Sequence, residues 1–193
     1  MKLYKGIVWQ ASSEYEQQDI TNALKKDAVQ IKIAPNLVSG QSVNTTRTFK
    51  NLGSLKVVFL SRVSRKKNLD YALRVLTALH GDIIFDVYGP IEDTAYWQEC
   101  QSIIRQMSAN IQVAYQGEIT PEKVGEIFSR YHLFLFPTRG ENFGHVISEA
   151  LRAGCPVLIS DQTPWQGLEE QQAGWVVPLA QLEKFQTVLK TVV

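Results

Sequence analysis

Several kinds of chemistry are missing from this chain. It has two cysteines, Cys100 in a helix-like stretch and Cys155 just before an apolar run. A disulfide framework is excluded, and both read as small buried hydrophobes suited to a reducing, cytoplasmic setting. The histidines, His80, His132 and His145, are scattered, and no cysteine or histidine spacing suits zinc. There is no phosphate-loop signature, no Gly-x-Gly-x-x-Gly and no Gly-x-Ser-x-Gly elbow. Charge of either sign is also lacking in excess. Twenty basic against nineteen acidic side chains leave a net charge of +1, so no global field favours nucleic acid or an anionic membrane, and any anion site is local. Long apolar runs are absent too: "LFLF" and "PVLI" are far too short to span a bilayer, and no charged-then-apolar leader opens the chain.

What is present is alternation. With 45% hydrophobic residues in 193, the chain can bury a real core. From about residue 31, short apolar runs ("IKIAP", "KVVFLS", "IIFDVYG", "IQVAYQG", "LFLFPT", "PVLISD", "GWVVP") alternate with amphipathic stretches at about 67–80, 94–108, 120–130, 143–154 and 179–192. This pattern predicts an α/β, doubly wound, Rossmann-like parallel sheet with helices on both faces. Thr120 and Pro121 mark a helix start, with Thr120 as the expected cap. Three parts are expected. Residues 1–34 hold one βα unit with a serine cap, which cannot bury both of its faces alone and must dock on something. Residues 35–54, polar and without periodicity, read as a linker or loop. Residues 55–193 form the main domain.

In open parallel sheets ligands bind beyond the carboxyl ends of the strands, which directs attention to the residues following each apolar run. These are Arg62, Gly89 and Pro90, Gly117 and Glu118, Thr138 to Glu141, and Asp161 to Trp165, a set that includes Thr163. The stretch "SRVSRKKN" places Arg62, Arg65, Lys66 and Lys67 in one strand-to-helix loop, where cations and a helix amino terminus can together hold a diphosphate. The same residues also read as a solvated basic loop. In "PTRGENFGHVISEALRAGCPVLISD", Gly140 and Gly144 let backbone approach a ligand, and Glu141 and Glu149 are eight positions apart. Eight residues of helix would rise about 12 Å, enough for two carboxylates to touch two ends of a nucleotide-sized ligand through its hydroxyls. Read alone, Glu149 is equally an exposed helix residue and Glu141 a loop charge. His80 and His132 read as structural, His145 stays open, and Trp9, Tyr71, Trp97 and Trp175 read as packing residues. Trp165, in "DQTPW", could line a pocket.

These residues together resemble the nucleotide-sugar-binding half of retaining glycosyltransferases of the GT-B fold, the family-four, glycogen-synthase-like group, over roughly residues 30–193. The most specific part is the glutamate, seven residues, glutamate spacing of Glu141 and Glu149. The resemblance implies that Glu141 faces the donor sugar and that the amides around Phe143, Gly144, His145 and Val146 meet sugar and phosphate. It implies that Glu149 holds the ribose hydroxyls and that Arg62 and Lys67 clamp the diphosphate. Gly89, Pro90, Glu118 and Ile119 would line the base pocket, and Thr163 would join the donor site. A nucleoside-diphosphate sugar is then a substrate, no cofactor is implied, and no metal is expected because two cations meet the phosphate charge. The acceptor, a glycan or a lipid-linked one, would be held by an amino-terminal domain or partner chain, of which residues 1–34 would be the last βα unit. The full enzyme would be cytoplasmic or peripheral at the inner membrane face. Ser61, Asn68 and Asn142 stand where that family often has glycine. Two alternatives remain open: a non-catalytic nucleotide-sugar-binding module needing a partner chain, and a nucleotide-sugar epimerase of similar fold.

Overall fold

A computed structural model describes residues 7–24, 30–34 and 49–193. Residues 1–6, 25–29 and 35–48, and with them most of the expected 35–54 loop, lie outside the described residues. In chain order the elements are β1 (Val8–Ala11), α1 (Glu14–Ala23), β2 (Gln30–Ile33), β3 (Ser54–Leu60), α2 (Leu69–Leu76), β4 (Asp82–Tyr88), α3 (Thr94–Ile104) and β5 (Ile111–Gly117). They continue with α4 (Pro121–Phe128), β6 (Leu133–Phe136), α5 (His145–Arg152), β7 (Val157–Ser160), β8 (Gly174–Val177) and α6 (Leu182–Val192).

Six strands make one parallel sheet in the order β5-β4-β3-β6-β7-β8. The direction in which the chain adds strands reverses between β3 and β6, and beyond the carboxyl ends of those two strands the flanking loops part to leave a crevice. Helices cover both faces, which is why β6 and β7 are apolar runs without alternation and are buried at every position. The edge strand β5 keeps the polar alternation of "IQVAYQG" because most of it is reachable by water. Phe59, Phe85, Phe134 and Phe136 are fully buried between the layers, with Leu73, Leu76 and Phe185 from the helices above. Both cysteines are free and buried, as the sequence implied.

Some expectations need correction. The strand "IKIAP" does not join the main sheet; its Gln30–Ile33 pairs in parallel with β1 in a separate two-stranded sheet. The helices are shorter than their amphipathic stretches, and backbone geometry sets the limits. Asn68 at φ 63° and Gly144 at φ 78° are left-handed, so α2 starts at Leu69 and α5 at His145. Thr120 does precede α4, but its side chain makes no capping bond to the helix; it interacts with the Glu122 carboxylate instead. Ser13 does cap α1, accepting from the Glu16 N–H at 3.2 Å. The β1-α1-β2 unit docks where it was expected to need support, the Ser13 hydroxyl donating to the Asn142 carbonyl at 2.8 Å.

Candidate functional site

Three loops meet beyond the carboxyl ends of the central strands, and backbone hydrogen bonds tie them together. The Arg139 N–H donates to the Lys66 carbonyl at 2.8 Å, and the Glu141 N–H to the Gln162 carbonyl at 3.0 Å. The buried Ser160 hydroxyl donates to the Thr138 carbonyl at 2.5 Å. Asn68 sits at the junction. Its amide donates to the Pro137 carbonyl at 2.9 Å, and its side-chain oxygen accepts from Arg139 Nε at 3.1 Å. Glycine would tolerate the left-handed backbone here, but asparagine does so as well and adds both bonds.

The four cations of "SRVSRKKN" separate. Arg65 is taken by α3, with its guanidinium bonded to both carboxylate oxygens of Glu99 at 3.0 and 2.5 Å, beside Asp93 and over the Tyr96 ring. Lys66 contributes its carbonyl to the loop junction. Arg62, exposed, meets Glu92 at 2.6 Å. Lys67 is different: its side chain is 9% exposed, lies over the Phe136 ring, and pairs at 2.5 Å with Glu141. Two of the expected ligand groups are thus in contact with one another across the crevice.

Two cavities open on this region. One, of about 260 Å³, is lined by Arg62, Gly89, Pro90, Glu118, Ile119 and Glu149, together with Val124 and neighbouring backbone. It collects the residues expected to hold base and ribose and one of the two expected phosphate cations, Arg62; Lys67 does not line it. The other, of about 370 Å³, is lined by Glu141, Asn142, Phe143, Gly144 and His145 on one side. Helix α5 borders both cavities, because His145 and Glu149 are one turn, about 6 Å, apart. In the first turn of α5 the Ile147 and Ser148 N–H groups donate to the Gly144 carbonyl, at 2.9 and 3.3 Å, and a helix amino terminus of this kind favours an anion. Glu141 lies before the helix, so the two glutamates are not spaced along one helical rod; Gly144 turns the chain between them. Its conformation is enforced: a Cβ there would lie 2.9 Å from Ile147 and 3.1 Å from the Trp165 indole nitrogen, which donates to the Phe143 carbonyl at 2.7 Å. Trp165 therefore pins the loop. Thr163 is fully buried, accepts from the Trp165 N–H at 3.3 Å, and lines neither cavity; nor does Val146, which packs against the core.

Glu149 is half-buried, and burial pushes its carboxyl above the usual carboxylate range, against the opposing pull of His145 and Arg152. A raised folded-state value means that the folded chain holds this proton more tightly than the unfolded chain. Stability from this group is complete below the ordinary value of 4.5 and falls as pH rises from there through the raised value. Urea midpoints measured from pH 4 upward should therefore decline less for Glu149→Gln than for the wild type. Parallel profiles would contradict that assignment.

The family profile for the group 1 glycosyl transferases matches residues 43–191. The chain belongs to that family. Among curated relatives, the GtfA subunit of the UDP-N-acetylglucosamine–peptide N-acetylglucosaminyltransferase of Streptococcus pneumoniae is 25% identical over 129 residues, 63% of this chain and 24% of the relative. Its Streptococcus agalactiae counterpart is 23% identical over 61% of this chain and 23% of the relative. The chain thus spans about a quarter of the length of the curated relatives it matches. Among solved structures, pneumococcal GtfA in complex with UDP and GlcNAc superposes with a TM-score of 0.67 at 18% identity, covering 93% of this chain and 37% of that one. The lipopolysaccharide outer core galactosyltransferase WaaB gives 0.73 at 19%, covering 95% and 52%. These similarities establish this group 1 glycosyl transferase fold as one half of the GT-B architecture.

Proposed function

We propose that this chain is the donor-binding part of a retaining glycosyltransferase, moving a sugar from a nucleoside diphosphate to a glycan or lipid-linked acceptor. One observation carries the reading: Arg62 and Glu149 line a single cavity at the point where strand order reverses, while Glu141, paired with the buried Lys67, lines the second cavity. Arg62 and Lys67 would neutralise the charge that grows on the departing diphosphate, helped by the N–H groups at the start of α5, an electrostatic role that requires no bound metal. The Glu149 carboxylate would accept the ribose hydroxyls. Glu141, held by Lys67, would orient the sugar. In this reading residues 55–193 are the donor domain and residues 1–34 the last βα unit of an acceptor domain, and the enzyme works in the cytoplasm or at the inner membrane face. Among the described residues no helix is long and apolar enough to cross a membrane.

A second reading has its own support. The curated relatives are named as subunits, and one structural neighbour is a GtfA/B complex. Donor binding by this chain would then be separable from transfer, with a partner chain completing the site.

Calorimetric titration with UDP and with GDP tests both readings at their shared step. The wild type is expected to bind one of them. Arg62→Ala and Glu149→Ala should each weaken that binding about tenfold or more, as expected for loss of a hydrogen bond involving a charged group. A folded wild type that binds neither nucleotide would reject the donor-site reading.

A further inference from the structure

The larger cavity has a second wall, built by residues that precede the family match. Gln10 from β1, Ser12 from the turn that follows it and Glu16 from the first turn of α1 face Glu141 to His145 across it, whereas the match begins at residue 43. Glu16 is the centre of this wall. One of its oxygens, Oε2, accepts from the Ser12 N–H at 2.7 Å and from the Ser12 hydroxyl at 2.6 Å. These bonds, with a further one to the Asn142 side chain, hold the carboxyl below the usual range and so keep it charged. Ser13, bonded to the Asn142 carbonyl, fixes the wall against the opposite loop.

Part of this arrangement is ordinary helix capping, since Ser13-x-x-Glu16 is a capping sequence. A capping glutamate returns to the N–H of the cap residue itself, however. Glu16 bonds instead to the residue before the cap, leaving its carboxylate and the Ser12 hydroxyl on the cavity. A space of about 370 Å³ is at the small end for ligand sites. With a carboxylate on each side, it suits a ring that donates hydrogen bonds in both directions, because carboxylates only accept.

We propose that Glu16, fixed by Ser12 and Asn142, accepts a hydroxyl hydrogen bond from the transferred sugar and so sets which hexose the site takes. This rests on the donor-site reading above and adds a specificity-determining residue on the other side of the cavity. Selection of this kind is strong, because a site built around a hydroxyl leaves its acceptor unpaired when the hydroxyl is missing or inverted.

The test is calorimetry on wild type, Glu16→Gln and Asn142→Ala, with whichever of UDP and GDP binds and with its glucose, galactose, mannose and N-acetylglucosamine conjugates. Glutamine keeps an oxygen for Ser12, and circular dichroism checks that the variants are folded. The wild type should prefer one conjugate. Glu16→Gln should lower affinity for that conjugate about tenfold, leave affinity for the bare nucleotide within about twofold, and flatten the preference; Asn142→Ala should do the same more weakly. Variants that bind bare nucleotide normally and keep the wild-type sugar preference would overturn this proposal while leaving the donor-site reading intact. So would a wild type indifferent to the sugar. A wild type that binds no nucleotide overturns both.

Discussion

Gly89→Ala is expected to cost about 3 kcal/mol or more of folding stability, far more than the same change at Gly117. Both glycines sit at strand ends with positive φ, 123° and 83°. An added Cβ at position 89 would lie 2.1 Å from the Ser61 carbonyl oxygen and 2.7 Å from its carbon. Those atoms are backbone and cannot rotate away. At Gly117 nothing lies within 4 Å, so alanine there meets only the left-handed strain, about 1 kcal/mol. Relief at position 89 would separate the ends of β3 and β4 and carry Arg62, whose N lies 3.3 Å from the same point, out of the cavity. Urea unfolding of both variants measures the difference, and nucleotide binding by Gly89→Ala should fail even where the protein remains folded. Similar losses at the two positions would show that the close approach is not what holds this corner.

The second large effect concerns Lys67 and Glu141. Removing the carboxylate leaves an ammonium group 9% exposed and without its anion, and losing one partner of such a pair typically costs about 3 kcal/mol. Glu141→Ala should therefore destabilise the chain by roughly that amount, and the double variant Lys67→Met, Glu141→Ala by less than the sum of the single changes. The site reading adds an asymmetry. A bound diphosphate can stand in for the lost carboxylate, so nucleotide should raise the melting temperature of Glu141→Ala more than that of the wild type. Lys67→Met should lose nucleotide binding. Additive stability changes, or unaltered binding by Lys67→Met, would count against the pair having this dual role.

The sheet was legible in the sequence because its central strands are buried on both faces, which leaves "VVFL", "LFLF" and "VLI" as unbroken apolar runs. The site was partly legible for a related reason: the residues just past those runs are the ones the crevice collects, and Arg62, Gly89, Pro90, Glu118, Ile119 and Glu149 do share one cavity. Partners distant in sequence were not legible. Nothing local in "SRVSRKKN" says that Arg65 is captured by Glu99 on α3 while Lys67 is buried over Phe136. The pairing of β2 with β1 was hidden too, since a short apolar run carries no mark of which sheet it joins. The late starts of α2 and α5 follow from left-handed Asn68 and Gly144, which amphipathic periodicity alone does not register. Thr163 stands in the expected loop but is fully buried, its hydroxyl accepting from the Trp165 N–H, a burial that the sequence does not display.

The most direct measurement is amide hydrogen exchange on the intact chain with and without saturating nucleoside diphosphate. Nucleotide should slow exchange in residues 61–68, 89–91, 118–119 and 141–149, the loops beyond the carboxyl ends of β3, β4, β5 and β6 with the start of α5, and leave the opposite edge of the sheet unchanged. Protection centred elsewhere, or none at a concentration where calorimetry shows binding, would contradict a donor site at the strand-order reversal.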